Sequence, residues 1–423
     1  MTALRDGEKD TAGKDTAKGW MAPIDLDRVP DVEAFLGRLG YGRFDRETLV
    51  APIGRNEVWA GQTDSGRKVF VKRLIGGDDA TPRLRRMLAF ERFKAARPPL
   101  ADQIRTPGFL GADEDARLVA FDFMDEARNG AESMIEESFG DELARLVGEA
   151  IGHLHNAVPE AGEGLDDGPF PLPDLELLRG LPLEMWHNLS YGELESWSIL
   201  HGDPELMRGI LALCEKESQA PKVPVHGDFR VDQLLLPGEG GFQITDWEDF
   251  RLGDPARDVG AFAGEWLFRS ILDIVSSRGD EVVFEAAEFT HEMVIQRGTE
   301  KIERLRPRIH AFWLGYQAAR PQLDDEFAVR STAFAGWHMM DRLLASGARS
   351  AKLSGIQRAA AGIGRTALLA PARFTIALGF EAPGFEAPGS EAPGSEAPGS
   401  EAPGSEAPGP GTPGSETLGL ENG

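Results

Sequence analysis

Apolar positions recur along this chain with two different periods, and the change from one to the other divides it. In the first third the period is two. The run Arg67–Arg73 (RKVFVKR) alternates and is β-branched, which predicts a strand. Leu118–Asp125 (LVAFDFMD) reads as an apolar strand leaving into a polar turn. Between them a helix is expected from near Thr81-Pro82, with Leu84, Met87, Leu88 and Phe90 on its apolar side. Farther along the period becomes mostly 3.6. Glu142–Asn156 (ELARLVGEAIGHLHN) is an amphipathic helix, and helical segments carry Trp186 and Trp197. From Asp254 to Leu378 the pattern is helical, as in EFAVRSTAFAGWHMMDRLLASG (326–347). A short strand pair interrupts this run of helices: Leu234–Leu236, a turn at Pro237–Gly241, and Phe242–Thr245.

Composition bounds the reading without deciding it. The 423 residues are enough for a two-lobed domain plus tails. Cys214 is the single cysteine, so no internal disulfide can form, which suits a reducing cytoplasm. The first 20 residues are charged, lack the apolar core of a signal peptide and read as disordered. No run approaches the roughly 18 to 20 apolar residues of a membrane span. The net charge is −25. Glu-Ala-Pro-Gly recurs six times between Glu381 and Gly409, and residues 379–423 read as a disordered, self-repelling spacer. The rest of the chain is still strongly acidic, which disfavours nucleic acid as a partner and suits a cationic substrate. One cysteine and eight scattered histidines leave no structural zinc site.

The densest chemistry lies between Val223 and Gly260 (VPVHGDFRVDQLLLPGEGGFQITDWEDFRLGDPARDVG). His226-Gly227-Asp228 puts one carboxylate in a tight loop before the strand pair, and that pair delivers a second carboxylate in Asp246-Trp247-Glu248. Phosphoryl transfer needs such a pairing: one Asp takes the proton of the attacking hydroxyl, and another holds the metal that bridges the phosphates. A second His-Gly-Asp, at His201–Asp203, precedes Pro204 and reads as a helix start with Asp203 as its cap. Asp254 is likewise placed to cap the helix opened by Pro255, on which Val259, Phe262, Trp266 and Leu267 share a face.

The stretch resembles the aminoglycoside phosphotransferase and choline kinase family in its His-Gly-Asp, its Asp-Trp and its later Gly253-Asp254-Pro255…Asp258. The resemblance implies an α+β, protein-kinase-like two-lobed fold, with a β-rich N-lobe over 21–124 and a mostly helical C-lobe over 125–378. It implies ATP and Mg2+ as cofactors. Asp228 becomes the catalytic residue, with His226 and Arg230 of the same loop beside it. Asp246 and Gln233 become the metal ligands. Gln233 departs from the usual Asn, but it offers the same amide oxygen on a longer stem. Asp258 is expected to brace the catalytic loop. His155 is expected to be a packing residue.

In the first third, Lys72 takes the place of the phosphate-clamping lysine, with Glu91 on the next helix as its partner. Gly54 and Asn56 lie where a phosphate-covering loop belongs, and Phe123, Met124 and Asp125 mark the adenine-binding hinge. The basic residues Arg83, Arg85, Arg86, Arg92 and Lys94 are expected on a solvated helix face, or on one that docks an acidic peptide. The acidic stretch holding Glu160, Glu163, Asp166, Asp167 and Asp174 is either a plain solvated loop or a candidate for recognising a cation.

Asp246–Trp266 also looks like phosphotransferase-like proteins of peptide natural-product pathways. That likeness implies Ser/Thr of a precursor peptide as acceptor, in lanthipeptide-type biosynthesis, with a partner lyase. The alternatives are a small cationic acceptor, such as an aminoglycoside-like antibiotic or a sugar, and a pseudokinase subunit working with a partner protein. No membrane or nucleic-acid partner is expected.

Overall fold

The alternation in KVFVKR sorts its side chains onto two faces of a sheet, and the computed structural model shows what each face meets. The model describes residues 20–381 except 22, 53, 171–173, 239–240, 279 and 281–290. The chain forms two units, Met1–Glu381 and Ala382–Gly423, and the description concerns the first. The expected disorder of residues 1–19 and of the repeats from 382 onward lies outside the described residues.

Four antiparallel strands make the first sheet: β1 (Glu57–Gln62), β2 (Lys68–Arg73), β3 (Phe109–Asp113) and β4 (Leu118–Asp122), in the order β1-β2-β4-β3. Val69 and Val71 point to one face, where they pack with Trp59, Leu118 and Ala120 against Val32, Phe35 and Leu36 of α1 (Pro30–Arg38). Phe70 and Lys72 therefore point the other way, into a cleft. Lys72 is registered opposite Val58 on one side and Val119 on the other, so the strand pairing fixes its height. The helix after β2, α2 (Ala80–Ala95), crosses toward the second half of the fold, where Phe90 stacks on Trp247 with ring centroids 3.6 Å apart.

The second half is helical, with short ladders set into it. Strand β5 (Arg128–Asn129) precedes α3 (Asp141–Asn156). Strand β6 (Val223–Val225) pairs with β9 (Arg251–Gly253), and β7 (Leu234–Leu236) pairs with β8 (Gln243–Ile244) and with β5. Three long helices follow: α4 (Ala256–Leu272), α5 (His291–Ala319) and α6 (Phe327–Arg349). Their core is aromatic. Phe262 of α4 stacks on Phe312 of α5 at 4.1 Å, and Phe229, one residue past the candidate catalytic Asp, stacks on Phe262 at 6.0 Å. The loop chemistry is thus anchored in the core. Among the described residues no helix is long and apolar enough to cross a membrane.

Two ends differ from expectation. Trp20, assigned to the disordered start, pairs with Pro52 in a two-residue ladder. Phe380 and Glu381, assigned to the spacer, are buried. Phe380 packs on Trp313, and the Glu381 carbonyl accepts a 2.7 Å bond from the Trp313 indole. Low-complexity composition begins at Glu381, but one apolar residue before it is enough to dock the chain.

Helices α3 and α5 approach so closely that a methyl group has no room between them. A Cβ on Gly315 would lie 1.9 Å from the Arg145 carbonyl oxygen, and one on Gly148 would lie 2.0 Å from that of Phe312. Neither obstacle is a flexible side-chain tip. Gly315→Ala is therefore expected to destabilise the fold by about 1–3 kcal/mol through overpacking, despite its better helix propensity. A denaturant midpoint equal to or above that of the wild type would contradict the packing described.

Candidate active site

Strand β6 ends at Val225, and the chain then turns sharply through His226-Gly227-Asp228. The turn needs glycine. Gly227 has φ +89°, and a Cβ there would sit 2.6 Å from the Asp249 carbonyl oxygen. Two successive N–H groups of the turn point at one buried carboxylate. His226 N–H donates to Asp258 Oδ2 at 2.7 Å, and Gly227 N–H donates to Oδ1 at 2.9 Å. His155 Nε2 lies 3.1 Å from the same carboxylate, and its Nδ1 lies 3.0 Å from the Tyr316 hydroxyl. Burial alone would raise the Asp258 carboxyl, but the hydrogen bonds from His155 and the backbone donors hold it below its ordinary value. Burial lowers His155, which favours its neutral form as the donor to Asp258. Asp258 thus braces the loop as expected, and His155 is a buried link in that brace.

His226 was grouped with the catalytic residues, but its ring is fully buried and does not line the cleft. Its Nε2 lies 2.9 Å from the Thr245 carbonyl oxygen, one residue before Asp246. His226 thus ties the His-Gly-Asp turn to the strand end that carries Asp246. The Gln233 carbonyl serves the same end, accepting from Thr245 N–H at 2.9 Å and from its hydroxyl at 3.0 Å.

Asp228, Arg230, Gln233, Asp246 and Lys72 all line one cleft of about 990 Å3, together with Gly54, Asn56, Phe123 and Met124. Asp246 adopts a left-handed conformation, φ +67°, tolerated by Asp better than by most residues. It pairs with Lys72. Lys72 also lies 2.9 Å from Glu248. Burial alone would lower the lysine, yet Asp246 and Glu248 outweigh it and raise its pKa. Arg230 lies 3.6 Å from Asp228 and 3.1 Å from Asp232. Enclosure by the cleft pushes the Asp228 carboxyl up to about 8; Arg230 opposes the rise, and Asp341, Asp249 and Asp246 add to it. The Asp228 side chain keeps 42% of its surface open to cleft water, which screens part of this shift.

A divalent cation fits the chemistry of these donors. Asp246 is a carboxylate and Gln233 an amide, both hard oxygen ligands on the cleft wall. Among the described residues no cluster of three His, Cys, Asp or Glu is ready to hold a metal.

Residues 52–291 match the model of the phosphotransferase enzyme family. The chain belongs to that family. It is therefore a kinase, transferring a phosphoryl group to a hydroxyl, on a two-lobed α+β fold. No curated protein matches the chain. Among solved structures it is similar to an amicoumacin kinase (13% identity, TM-score 0.46, 82% of this chain and 96% of that one). It is also similar to the choline kinase of Streptococcus pneumoniae (12%, 0.45, 81% and 99%). A macrolide 2'-phosphotransferase from Brachybacterium faecium is a third neighbour (17%, 0.41, 82% and 99%).

Several expected roles fall elsewhere in this kinase. Glu91 does not reach Lys72; it pairs with Lys94 at 3.1 Å. Asn56 faces Glu248 at 3.3 Å and accepts from Ile75 N–H at 3.2 Å, so its amide is engaged within the protein. Asp125 pairs with Lys68 at 2.5 Å and is absent from the cleft wall. The basic face of α2 is not solvated as a whole. Arg83 and Arg86 are buried: Arg83 pairs with Asp79 and Glu248, and Arg86 with Asp166 and Asp249. In the acidic insert, Glu163 pairs with Arg97 at 2.6 Å and Asp166 with Arg86 at 3.3 Å, while Asp174 does line the cleft. Asp203 caps the helix Pro204–Gln219, as expected of the second His-Gly-Asp. The residues missed are Glu248 and Arg83. Arg83 had a signal: it sits four residues before Met87 and seven before Phe90, on the buried stripe of α2.

Removing the Asp258 carboxylate leaves two backbone donors and His155 buried without their acceptor. Asp258→Ala should lose about 3–5 kcal/mol of stability. The carboxyl is depressed in the fold, so its contribution is present above about pH 4 and lost as pH falls through the lower folded value. A wild-type-minus-variant difference in unfolding free energy that stays constant from pH 7 to pH 3 would contradict this reading.

Proposed function

We propose that the chain transfers the γ-phosphate of ATP, held with Mg2+, to the hydroxyl of a small cationic acceptor. The observation that carries the reaction is the open Asp228 carboxylate, fixed on the wall of the same cleft that holds Lys72, Asp246 and Gln233. Asp246 and the Gln233 amide are the oxygen ligands for Mg2+, which supplies charge neutralisation on the transferred group. Lys72 clamps the donor phosphates. Phe123 and Met124 border the adenine through the backbone that follows β4. Asp228 orients the acceptor hydroxyl and takes its proton. Arg230 keeps that carboxylate in place and favours its charged form.

The acceptor's charge follows from the surroundings of Asp228. Asp341 and Asp249 both act on it, and Asp232 and Asp174 also line the cleft. Trp337 supplies an aromatic wall, a setting that favours an ammonium group, while Arg257 already lies over the Phe170 and Phe334 rings. With Arg83 and Arg86 buried, the docking surface expected for an acidic peptide is much reduced.

Labelled γ-phosphate should appear on a hydroxylated polyamine or aminoglycoside offered with ATP and Mg2+. Label found on a Ser/Thr peptide and on no amine would replace the acceptor half of this reading. Asp228→Asn should lower kcat by about 10²-fold or more with ATP affinity largely kept. Full activity in that variant would sink the assignment.

The pH profile has a sign as well. Asp228 must be deprotonated to accept a proton, and its pKa is raised, so kcat/KM should fall on the acid side well above pH 4. Arg230→Met removes the group that opposes the rise and should move this limb to higher pH. An acid limb near pH 4, or one that moves down in Arg230→Met, would contradict the electrostatics described.

A further inference from the structure

Four parts of the cleft converge on a single carboxylate. Glu248 is 8% exposed, and its two oxygens meet Lys72 of β2 at 2.9 Å, Arg55 at 2.7 Å, Arg83 of α2 at 3.2 Å and Asn56 at 3.3 Å. Its backbone carbonyl accepts a further bond from Arg86 Nε at 2.7 Å. Arg83 is in turn fixed from behind: its Nε lies 2.9 Å from Asp79, and its other end donates to the Ile75 carbonyl. Burial alone would raise the Glu248 carboxyl, but Lys72, Arg83 and Arg55 pull it down to about 2.

A clamping lysine needs a carboxylate to aim it, and in protein kinases a helix supplies one. Here the helix residue in that place, Glu91, turns to Lys94. From this arrangement, and resting on the kinase reading above, we infer that Glu248 is the positioning residue for Lys72, and that Arg83 holds Glu248 in place. Helix α2 contributes an arginine where a carboxylate would be expected, and the carboxylate rides on the loop that carries Asp246. One acid therefore sets the lysine, the phosphate-loop residues Arg55 and Asn56, and the pose of α2. Asp246 shares Lys72 with it, so the clamp and the metal ligand form one unit.

The test compares calorimetric affinity for ADP·Mg2+ and the split between KM for ATP and kcat in four single variants and one double variant. Glu248→Gln should weaken ADP·Mg2+ binding and raise KM at least tenfold more than Glu91→Gln does. Arg83→Met should act in the same direction, and Arg83→Lys should recover part of the loss. In the double variant the two losses should not multiply, because both residues act through one contact. Equal losses at Glu91 and Glu248, or independent losses at Glu248 and Arg83, would overturn the inference. If Glu248→Gln fails to fold, the contrast between Arg83→Met and Arg83→Lys decides: no loss in Arg83→Met, or no recovery with Lys, overturns it. The affinity readout does not depend on turnover. A chain that binds ADP·Mg2+ and transfers no phosphate would sink the proposed reaction, while the variants still decide the brace.

Discussion

Two adjacent backbone N–H groups bonded to the buried Asp258 carboxylate are what the rest of this site depends on. Consecutive amides of an extended chain point in opposite directions, so both can reach one acceptor only if the chain turns between them. Gly227 makes that turn in a conformation closed to most residues, and the nearby Asp249 carbonyl excludes any side chain there. Once the turn is fixed, the next side chain, Asp228, has one way to face, into the cleft. The residue after it, Phe229, faces the aromatic core. The ladder of β6 with β9 brings Gly253 opposite Val223, which delivers the start of α4 and Asp258 beneath the turn. The order of the sequence motif is thus a set of geometric requirements that satisfy one another.

The cleft gathers like charges, and that has a cost the fold must meet. Asp228, Asp232, Asp246, Asp249 and Asp341 all line it; Asp341, Asp249 and Asp246 raise the pKa of Asp228, and Asp246 adds to that of Asp232. Lys72 and Arg230 are two of the internal counterions; Asp249 pairs with Arg86 and Arg251, and Asp341 with Arg342. Lys72 offsets Asp246, and Arg230 is shared between Asp228 and Asp232. The wall also carries Arg55, Arg83, Arg257 and Arg342, but its carboxylates outnumber its cations. On the proposed reading, a metal ion on one side and a cationic acceptor on the other would each offset part of the repulsion among these carboxylates.

Much of this was legible before any coordinates. The period-two run at Arg67–Arg73 placed Lys72 on a strand, and alternation alone put it on the face opposite Val69 and Val71. The spacing from His226 to Asp258 carried the family, the loop brace and both principal carboxylates. Turn chemistry at Pro204 separated the second His-Gly-Asp from the first. What sequence could not show was where long side chains end. Glu91 stands at the expected place on the helix, but Lys94 is its neighbour three residues on, and the two form a local pair. Arg83 and Arg86 looked solvated because charge is usually outside, whereas their spacing with Met87, Phe90 and Phe93 placed them inside. The acidic insert looked like a cation trap, but Glu163 and Asp166 are spent holding it down on Arg97 and Arg86.

Moving a brace from helix to loop changes which parts of a site must move together. A lysine aimed by a helix carboxylate depends on the pose of that helix. A lysine aimed by Glu248 depends on the loop after Asp246, and that loop is pinned at several points. Thr245 bonds to Gln233 and to His226, and Trp247 is stacked under Phe90. The metal-ligand position, the clamp and the catalytic turn therefore share one rigid support, through contacts of about 3 Å that are each buried or partly buried. Helix α2 still participates, through Arg83 and the Phe90–Trp247 stack, but as a strut against the loop rather than as the element that carries the charge. In such a design, reorienting the helix would disturb Lys72 only by first displacing Glu248, and four donors resist that displacement.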